Sequence, residues 1–258
     1  MRRGVVIMNN NELLRKWLNE EKLAYIHGWD FSHIEGRFES DDLPWNYENI
    51  VRGSLGADTK LLDIDTGGGE FLLSLNHPYQ NTAATEAYPP NVELCRDMLI
   101  PLGIDFKEAD GNGRLPYANN SFDLVINRHG SFNAEEIYRV LKTNGSFITQ
   151  QVGAENDRDL VKLLLGDVAV PFGEQYLFAV QQKFEAAGFT ITRGEEAFCP
   201  IKFWDVGALV WFARIIQWEF PDFSVNSCLE NLFAAQKILE HNGVIEGKSH
   251  RFILIAKK

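Results

Sequence analysis

Three consecutive glycines are the residues best suited to bind a ligand. Residues 61–71 read LLDIDTGGGEF, in which Gly67, Gly68 and Gly69 separate a short apolar strand from the start of a helix. Glycine allows the backbone to approach a ligand closely, and the first amides of the helix would point at that ligand. Taken alone, this turn is as typical of a plain strand–helix connection as of a ligand site.

Details of the turn argue against a phosphate ligand. The dinucleotide fingerprint needs a further glycine for close helix–strand packing, but Glu70, Phe71 and Leu72 follow the turn. Glu70 would also bring a negative charge close to a pyrophosphate. No G-K-[ST] sequence follows, so the turn is not a P-loop. We therefore expect a ligand with a nucleoside and no phosphates, which disfavours a nucleotide-binding oxidoreductase.

Polar residues stand at the ends of the next three predicted strands. Glu86 lies 17 positions after Gly69, where an acid can accept both hydroxyls of a ribose. Asp110 can accept from an exocyclic amine, and the Gly111 amide can donate to a ring nitrogen. Asn127 ends the fourth strand and faces the same crevice. A solvated carboxylate at Glu86 and a turn aspartate at Asp110 remain the alternatives.

These residues need a sheet to bring them together. Strands alternate with helices through residues 60–155, which predicts right-handed βαβ units and a parallel sheet. A helical insert at about 198–243 interrupts the pattern before the last strand. We predict an N-terminal helical cap at 1–50 and one α/β domain at 51–258.

Composition narrows the classes of partner. The 258 residues include 25 Lys and Arg against 36 Asp and Glu, a net charge of −11. That balance argues against a nucleic-acid partner, because phosphate binding needs clustered cations. The three cysteines lack zinc spacing, so no metal is expected, and reduced thiols favour the cytoplasm. The start MRRGVVIM is too short for a signal peptide, and no apolar run is long enough to span a membrane.

Four motifs follow one another along the chain: the glycine turn with Asp63, Gly67 and Gly69, the acid Glu86, the acid Asp110, and the segment RVLKTNGS at 139–146. Together they resemble the motifs of the class I S-adenosylmethionine-dependent methyltransferases, and most of all the type 11 branch with its ubiquinone- and menaquinone-type enzymes. The resemblance covers residues 60–151 well and continues more loosely to 197. Two departures stand out. Asp65 replaces the first glycine of the turn, and Thr143-Asn144 replaces a Pro-Gly pair. A sulfonium or ammonium would tolerate the Asp65 charge better than a phosphate would.

The resemblance implies a doubly wound, mostly parallel, seven-stranded Rossmann-like sheet and S-adenosyl-L-methionine as the cofactor. It implies that Gly67 and its neighbours hold the methionine part, Glu86 the ribose, and Asp110 the adenine edge, while Asn127 offers its backbone near the sulfonium. Asp63 would organise the turn. The full set of implied cofactor-binding residues is Asp63, Thr66, Gly67, Gly69, Glu86, Ala87, Asp110, Gly111 and Asn127.

Methyl transfer from a sulfonium is a direct displacement, so the enzyme mainly aligns the reacting atoms. A general base is needed only if the acceptor must lose a proton early. His129, two residues after Asn127, is the best candidate because its ordinary pKa lies near neutrality. A structural histidine that lines the site is the alternative.

Aromatic residues outside the motifs are the candidates for binding the methyl acceptor. Their rings suit a flat, apolar or cationic small molecule, although a place in the core is the alternative. The candidates are Trp29, Phe31, Trp45, Tyr47, Trp204 and Trp211. We expect a small-molecule methyltransferase that acts as a monomer or homodimer. An RNA or protein methyltransferase and a non-catalytic cofactor-binding subunit remain alternatives, and the retained acids argue against the last.

Overall fold

The computed structural model describes residues 9–25 and 30–258, which form two compact units. The first unit contains the described part of Met1–Asp42, together with Ala154–Gly173 and Phe198–His250. The second unit contains Leu43–Gly153, Glu174–Ala197 and Arg251–Lys258. In the described residues, no helix is both long and apolar enough to cross a membrane.

The described residues contain one eight-stranded mixed sheet in the order β1-β7-β8-β6-β5-β2-β3-β4. The strands are β1 (Phe38–Ser40), β2 (Leu61–Ile64), β3 (Thr82–Glu86), β4 (Asp105–Glu108), β5 (Phe122–Arg128), β6 (Leu141–Val152), β7 (Thr190–Phe203) and β8 (Ile245–Lys257). Strands β2 to β6 pair in parallel, whereas β8 runs antiparallel to β6 and β1 antiparallel to β7. The predicted α/β, mostly parallel fold class is confirmed. The sheet has one strand more than expected, the short β1.

Nine helices accompany the strands in the described part of the chain. They are α1 (Asn10–Leu23), α2 (Tyr47–Gly53), α3 (Glu70–Ser74), α4 (Pro89–Leu99), α5 (Ala134–Val140), α6 (Arg158–Leu165), α7 (Leu177–Ala186), α8 (Val206–Ile215) and α9 (Leu229–Asn242). A capping box of Asn9 and Glu12 begins α1, and the Asp205 side chain begins α8 by accepting from the Ala208 amide at 2.9 Å.

The core of the second unit supports the parallel strands. Every residue of β2 and β3 is buried, as expected for strands covered on both faces. Phe147 of β6 stacks on Phe184 of α7 with ring centroids 5.1 Å apart and planes 7° apart. Both residues belong to the core that packs on the parallel strands.

The first unit has its own core. It includes Trp17 of α1, Trp211 of α8 and Phe220, all almost fully buried. Helix α8 is apolar on all sides, which requires burial all round. The predicted domain boundary at residue 50 stays a prediction. In the structure, α1 packs in the same core as residues of 198–250. The segment predicted as a helical insert also begins as a strand, since β7 continues to Phe203.

Candidate active site

The carboxyl ends of β2, β3 and β5 meet at one edge of the sheet. The register pairs Asp63 with Ile126 and Ile64 with Asn127, so β2 and β5 end side by side. Strand β3 runs on the other side of β2 and ends at Glu86. Ligands of doubly wound sheets bind outside such strand ends. The predicted cofactor-binding residues of β2, β3 and β5 therefore lie at a common edge, all within the second unit.

The glycine turn connects β2 to α3. Gly67 and Gly69 have φ angles of 66° and 85°, in the left-handed region that favours glycine. A Cβ at Gly69 would lie 3.1 Å from Leu99 Cδ2, so Gly69 packs closely against the Leu99 side chain. A Cβ at Gly67 would meet no atom within 4 Å. Gly67 therefore has open space where a side chain would stand, so a ligand could approach the backbone there.

The Asp63 side chain stabilises the glycine turn by a hydrogen bond from Thr66. Its Oδ2 accepts a hydrogen bond from Thr66 Oγ1 at 2.7 Å, and the residue is only 5% exposed. Burial raises the pKa of Asp63 to about 7, and the charges of Asp65 and Glu86 add to the rise. The Thr66 hydrogen bond and the charge of Arg128 oppose it.

Glu86 joins the end of β3 to the glycine turn. Its Oε2 accepts from the Gly67 amide at 2.8 Å, and its Oε1 accepts from the Ala87 and Tyr88 amides, both at 2.9 Å. The carboxylate is buried, and among the described residues its hydrogen bonds come from backbone amides. A carboxylate offers about four lone-pair sites, so this one keeps capacity for a hydroxyl donor. Its contact with a ribose stays a prediction.

Asp110 and Gly111 follow β4 in a tight turn. Asp110 Oδ1 accepts from the Asn112 amide at 2.8 Å and lies 3.3 Å from Ser131 Oγ. A Cβ at Gly111 would lie 2.2 Å from the Ser131 carbonyl oxygen, so only glycine fits there. Asp110 is therefore a turn aspartate, as the alternative expected. Its predicted contact with adenine stays a prediction.

Asp65 binds the loop after β5. It adopts a φ of 53°, and its Oδ2 accepts from both the amide and the hydroxyl of Ser131 at 2.8 Å. Burial raises the pKa of Asp65, the Ser131 hydrogen bonds oppose the rise, and the charges of Glu86 and Asp110 add to it. Sequence reasoning missed Ser131, because nothing local distinguishes a serine in a loop 66 residues from its partner.

Asn127 is fully buried and holds strands together. Its Nδ2 donates to the Ile64 carbonyl at 2.9 Å, and its Oδ1 accepts from Gln151 Nε2 at 2.6 Å. Its backbone carbonyl accepts from Tyr47 Oη at 3.1 Å. The side chain is therefore engaged in structure. The predicted role near the sulfonium concerns the backbone only.

A hydrogen-bonded series links Trp45 to His129. Trp45 Nε1 donates to Gln150 Oε1 at 2.9 Å, and Gln150 Nε2 lies 3.2 Å from His129 Nε2. Because the Gln150 amide nitrogen can only donate, His129 Nε2 accepts, which places the ring proton on Nδ1. Sequence reasoning missed Gln150, whose partner Trp45 is 105 residues away.

The environment of His129 disfavours a proton acceptor. His129 is an exposed residue as a whole. Desolvation of its ring, together with the charges of Arg251 and Arg128, lowers the pKa of His129 to about 3. The direction of this shift alone makes the imidazole neutral at pH 7, with Nε2 already accepting a hydrogen bond. These observations argue against the general-base role predicted for His129 and favour the alternative of a histidine that lines the site.

Arg128 is a further residue that sequence reasoning missed. Its Cζ lies 4.6 Å from the centroid of the Phe71 ring, in the first turn of α3. The Phe71 ring in turn lies 5.4 Å from that of Tyr47. Arg128 thus brings a guanidinium to the glycine turn, a cation–π arrangement with an aromatic face.

The predicted acceptor-binding residues divide between the two units. Trp45 and Tyr47 belong to the second unit and bond to its strand ends, whereas Phe31, Trp204 and Trp211 belong to the first. Trp211 is 1% exposed and packs edge-on against Phe31 at 5.7 Å, while Trp204 is 41% exposed. Trp29 lies outside the described residues. The core alternative thus describes Trp211, and Trp45 and Tyr47 are buried as well, at 7% and 5% exposed.

Residues 62–149 match a family model described as a methyltransferase domain. No curated protein matches the chain. In the described residues, no group of three or more histidine, cysteine, aspartate or glutamate side chains could hold a metal ion.

Solved structures share the fold. The YcgJ protein of Bacillus subtilis is 20% identical with a TM-score of 0.57, covering 82% of this chain and 97% of its own. A putative methyltransferase from Bacillus halodurans C-125 is 18% identical with a TM-score of 0.56, covering 83% and 98%. A functionally unknown protein from Deinococcus radiodurans R1 is 14% identical with a TM-score of 0.55, covering 95% and 97%. At these identities the likeness concerns the fold alone.

Proposed function

Because residues 62–149 of this chain are a methyltransferase domain of the class I, S-adenosylmethionine-dependent family, we propose that the chain transfers a methyl group to a small-molecule acceptor by direct displacement. The chain is an enzyme of this class, and S-adenosylmethionine is its cofactor. Bound there, the cofactor would supply a methyl group on a positively charged sulfur. The small-molecule acceptor is the part that goes beyond the family.

One observation carries the proposal. The buried Glu86 carboxylate accepts the Gly67 amide, and Gly67 has open space where a side chain would stand. A fixed hydroxyl acceptor thus adjoins bare backbone at the strand ends. This chemistry fits a nucleoside with its ribose on Glu86 and a linkage without phosphates beside the glycines. The turn after β4, with Asp110 and Gly111, would hold the adenine edge.

The protein's own residues would contribute alignment more than proton transfer. His129 is neutral with its Nε2 occupied, so it suits a donor through Nδ1–H rather than a base. Trp45 and Tyr47, tied to Gln150 and to the Asn127 carbonyl, would give the acceptor a rigid aromatic boundary. We therefore infer an acceptor whose attacking atom has a free lone pair at neutral pH, since such an atom needs no early deprotonation.

A small molecule fits the charge of the chain better than RNA does. The net charge of −11 would repel a phosphate backbone, and the sequence has no long basic run. Three free, buried cysteines are consistent with the reducing cytoplasm, which we propose as the compartment.

Calorimetry with three ligands tests the proposal. We expect micromolar binding of S-adenosylmethionine and S-adenosylhomocysteine and no binding of NADH. Candidate acceptors are then incubated with the enzyme and S-adenosylmethionine, and mass spectrometry looks for products heavier by one methylene. Failure to bind either adenosyl ligand would contradict the proposal. Binding of NADH instead would favour the oxidoreductase alternative.

A further inference from the structure

Four carboxylates surround the glycine turn without an ion-pair partner. Asp63 lies in β2, Asp65 directly follows β2, Glu86 ends β3, and Asp110 follows β4. In the described residues, none of the four has a lysine, arginine or histidine nitrogen within 4.0 Å. Like charges at close range repel one another, most strongly where water is partly excluded. A bound cation would relieve this repulsion, and a bound anion would increase it.

Asp65 is the carboxylate with an oxygen available for such a cation. Ser131 engages only Oδ2, through its amide and its hydroxyl. No hydrogen bond to Asp65 Oδ1 occurs in the part of the chain that the structure describes. The residue as a whole is half-buried. Its orientation is set before any ligand arrives.

The backbone and the neighbouring loop both accommodate the Asp65 side chain. A non-glycine residue at φ 53° is uncommon, and glycine would adopt this angle freely. A Cβ at Gly130 would lie 2.5 Å from Asp65 Cβ, so the loop after β5 leaves room for this side chain. Two loops thus accommodate an aspartate where the family pattern has a glycine.

We propose that Asp65, oriented by Ser131, binds the ammonium of the methionine end of S-adenosylmethionine and selects against adenosyl compounds that lack this ammonium. This inference rests on the proposed function, because it assigns a partner within the same site. The ammonium is the hydrogen-bond donor for Oδ1, and the sulfonium is the second charge that the carboxylate would attract. Asp65 is thereby a specificity-determining residue, and Ser131 a positioning residue that acts through it.

Three ligands separate this role from a merely structural one. S-adenosylmethionine carries an ammonium, a carboxylate and a sulfonium. S-adenosylhomocysteine keeps the ammonium and the carboxylate but has a neutral sulfur, and 5′-methylthioadenosine has none of the three charges. The Asp65→Asn variant keeps an oxygen for both Ser131 hydrogen bonds and removes the charge. We expect it to weaken binding of the first two ligands at least about tenfold, the scale of one hydrogen bond to a charged group, and to leave methylthioadenosine within about twofold.

The controls make each result decisive. Asp105→Asn removes one charge from an exposed aspartate at the start of β4 and should change no affinity. Ser131→Ala keeps the charge but loses one orienting bond, so we expect the same ligand order with a smaller loss. Asp65→Gly, which relieves the backbone strain, should reproduce the Asp65→Asn pattern and guards against a folding defect. Melting temperatures confirm that each variant is folded.

Two outcomes would overturn the inference. If Asp65→Asn weakens all three ligands equally, or none, Asp65 only shapes the turn, while the proposed function stands. If the wild-type chain binds neither S-adenosylmethionine nor S-adenosylhomocysteine, the proposed function fails and this inference fails with it.

Discussion

The Asp63→Asn variant tests the electrostatics of the glycine turn through protein stability. Asp63 is 5% exposed, and burial raises its pKa from an ordinary 3.8 to about 7. Asparagine is of similar size, does not titrate, and keeps an oxygen for the Thr66 hydroxyl. The substitution therefore removes the titration and preserves the contact.

The sign of the effect follows from proton binding. Between pH 3.8 and about 7 the folded protein binds a proton at Asp63 that the unfolded chain has lost. The free energy of unfolding therefore falls as pH rises through this window and reaches its low level above pH 7. A shift of about three pKa units, at 1.36 kcal/mol per unit, makes this loss about 4 kcal/mol. Asp63→Asn should abolish it.

Urea unfolding at pH 5, 6, 7 and 8 measures the part of this loss that lies above pH 5, which is about 3 kcal/mol. We expect Asp63→Asn to be more stable than the wild-type protein at pH 8, with the difference shrinking toward pH 5. Asp105→Asn is the matched control and should keep the wild-type slope. If Asp63→Asn lost as much stability as the wild-type protein between pH 5 and pH 8, burial of an acid at the turn would not be the cause. Lower stability at pH 8 would contradict the reasoning outright.

Two further predictions concern Glu86 and His129. Glu86→Ala removes the predicted acceptor for the ribose and leaves three backbone amides without their partner, so S-adenosylmethionine binding should weaken by about 1 to 3 kcal/mol in calorimetry. The control Glu93→Ala, at an exposed position, should leave binding unchanged. Unchanged binding in Glu86→Ala would refute the ribose assignment. The labelled His129 imidazole should appear in nitrogen NMR as the neutral Nδ1–H tautomer from pH 5 to pH 8, because its pKa lies near 3; a titration midpoint near 6.5 would restore the general-base role.

Local patterns explain which parts of the site the sequence could predict. The apolar strand before the glycines, the acid that ends β3 and the acid that follows β4 are read from a few adjacent residues. Each stands at the sheet edge because parallel strands end together. The sequence shows Asp65 as a departure from the family pattern, but it does not show its partner, because Ser131 is brought to Asp65 by the pairing of β2 with β5.

Packing partners could not be read in the same way. The aromatic residues near residue 211 have helical spacing, but spacing does not say which other segment covers them. Trp211 packs on Phe31, which lies 180 positions earlier in the sequence, and it shares a core with Trp17, which lies 194 positions earlier. His129 shows a similar limit, since its pKa depends on Arg251, 122 positions away in sequence. Long-range neighbours thus decide the environment of each side chain.

The two units are interleaved in sequence, which has consequences for how the chain folds. The chain passes between them at residues 42, 153, 173, 197 and 250. Neither unit is a continuous segment, so neither core closes until distant segments have met. High contact order of this kind slows folding, because loop-closure entropy is lost before the contacts form. It also means that a single cut cannot release either unit as one intact polypeptide. A fragment that begins at residue 51 would lack Leu13 and Trp17 from the first core and expose the apolar surface they cover.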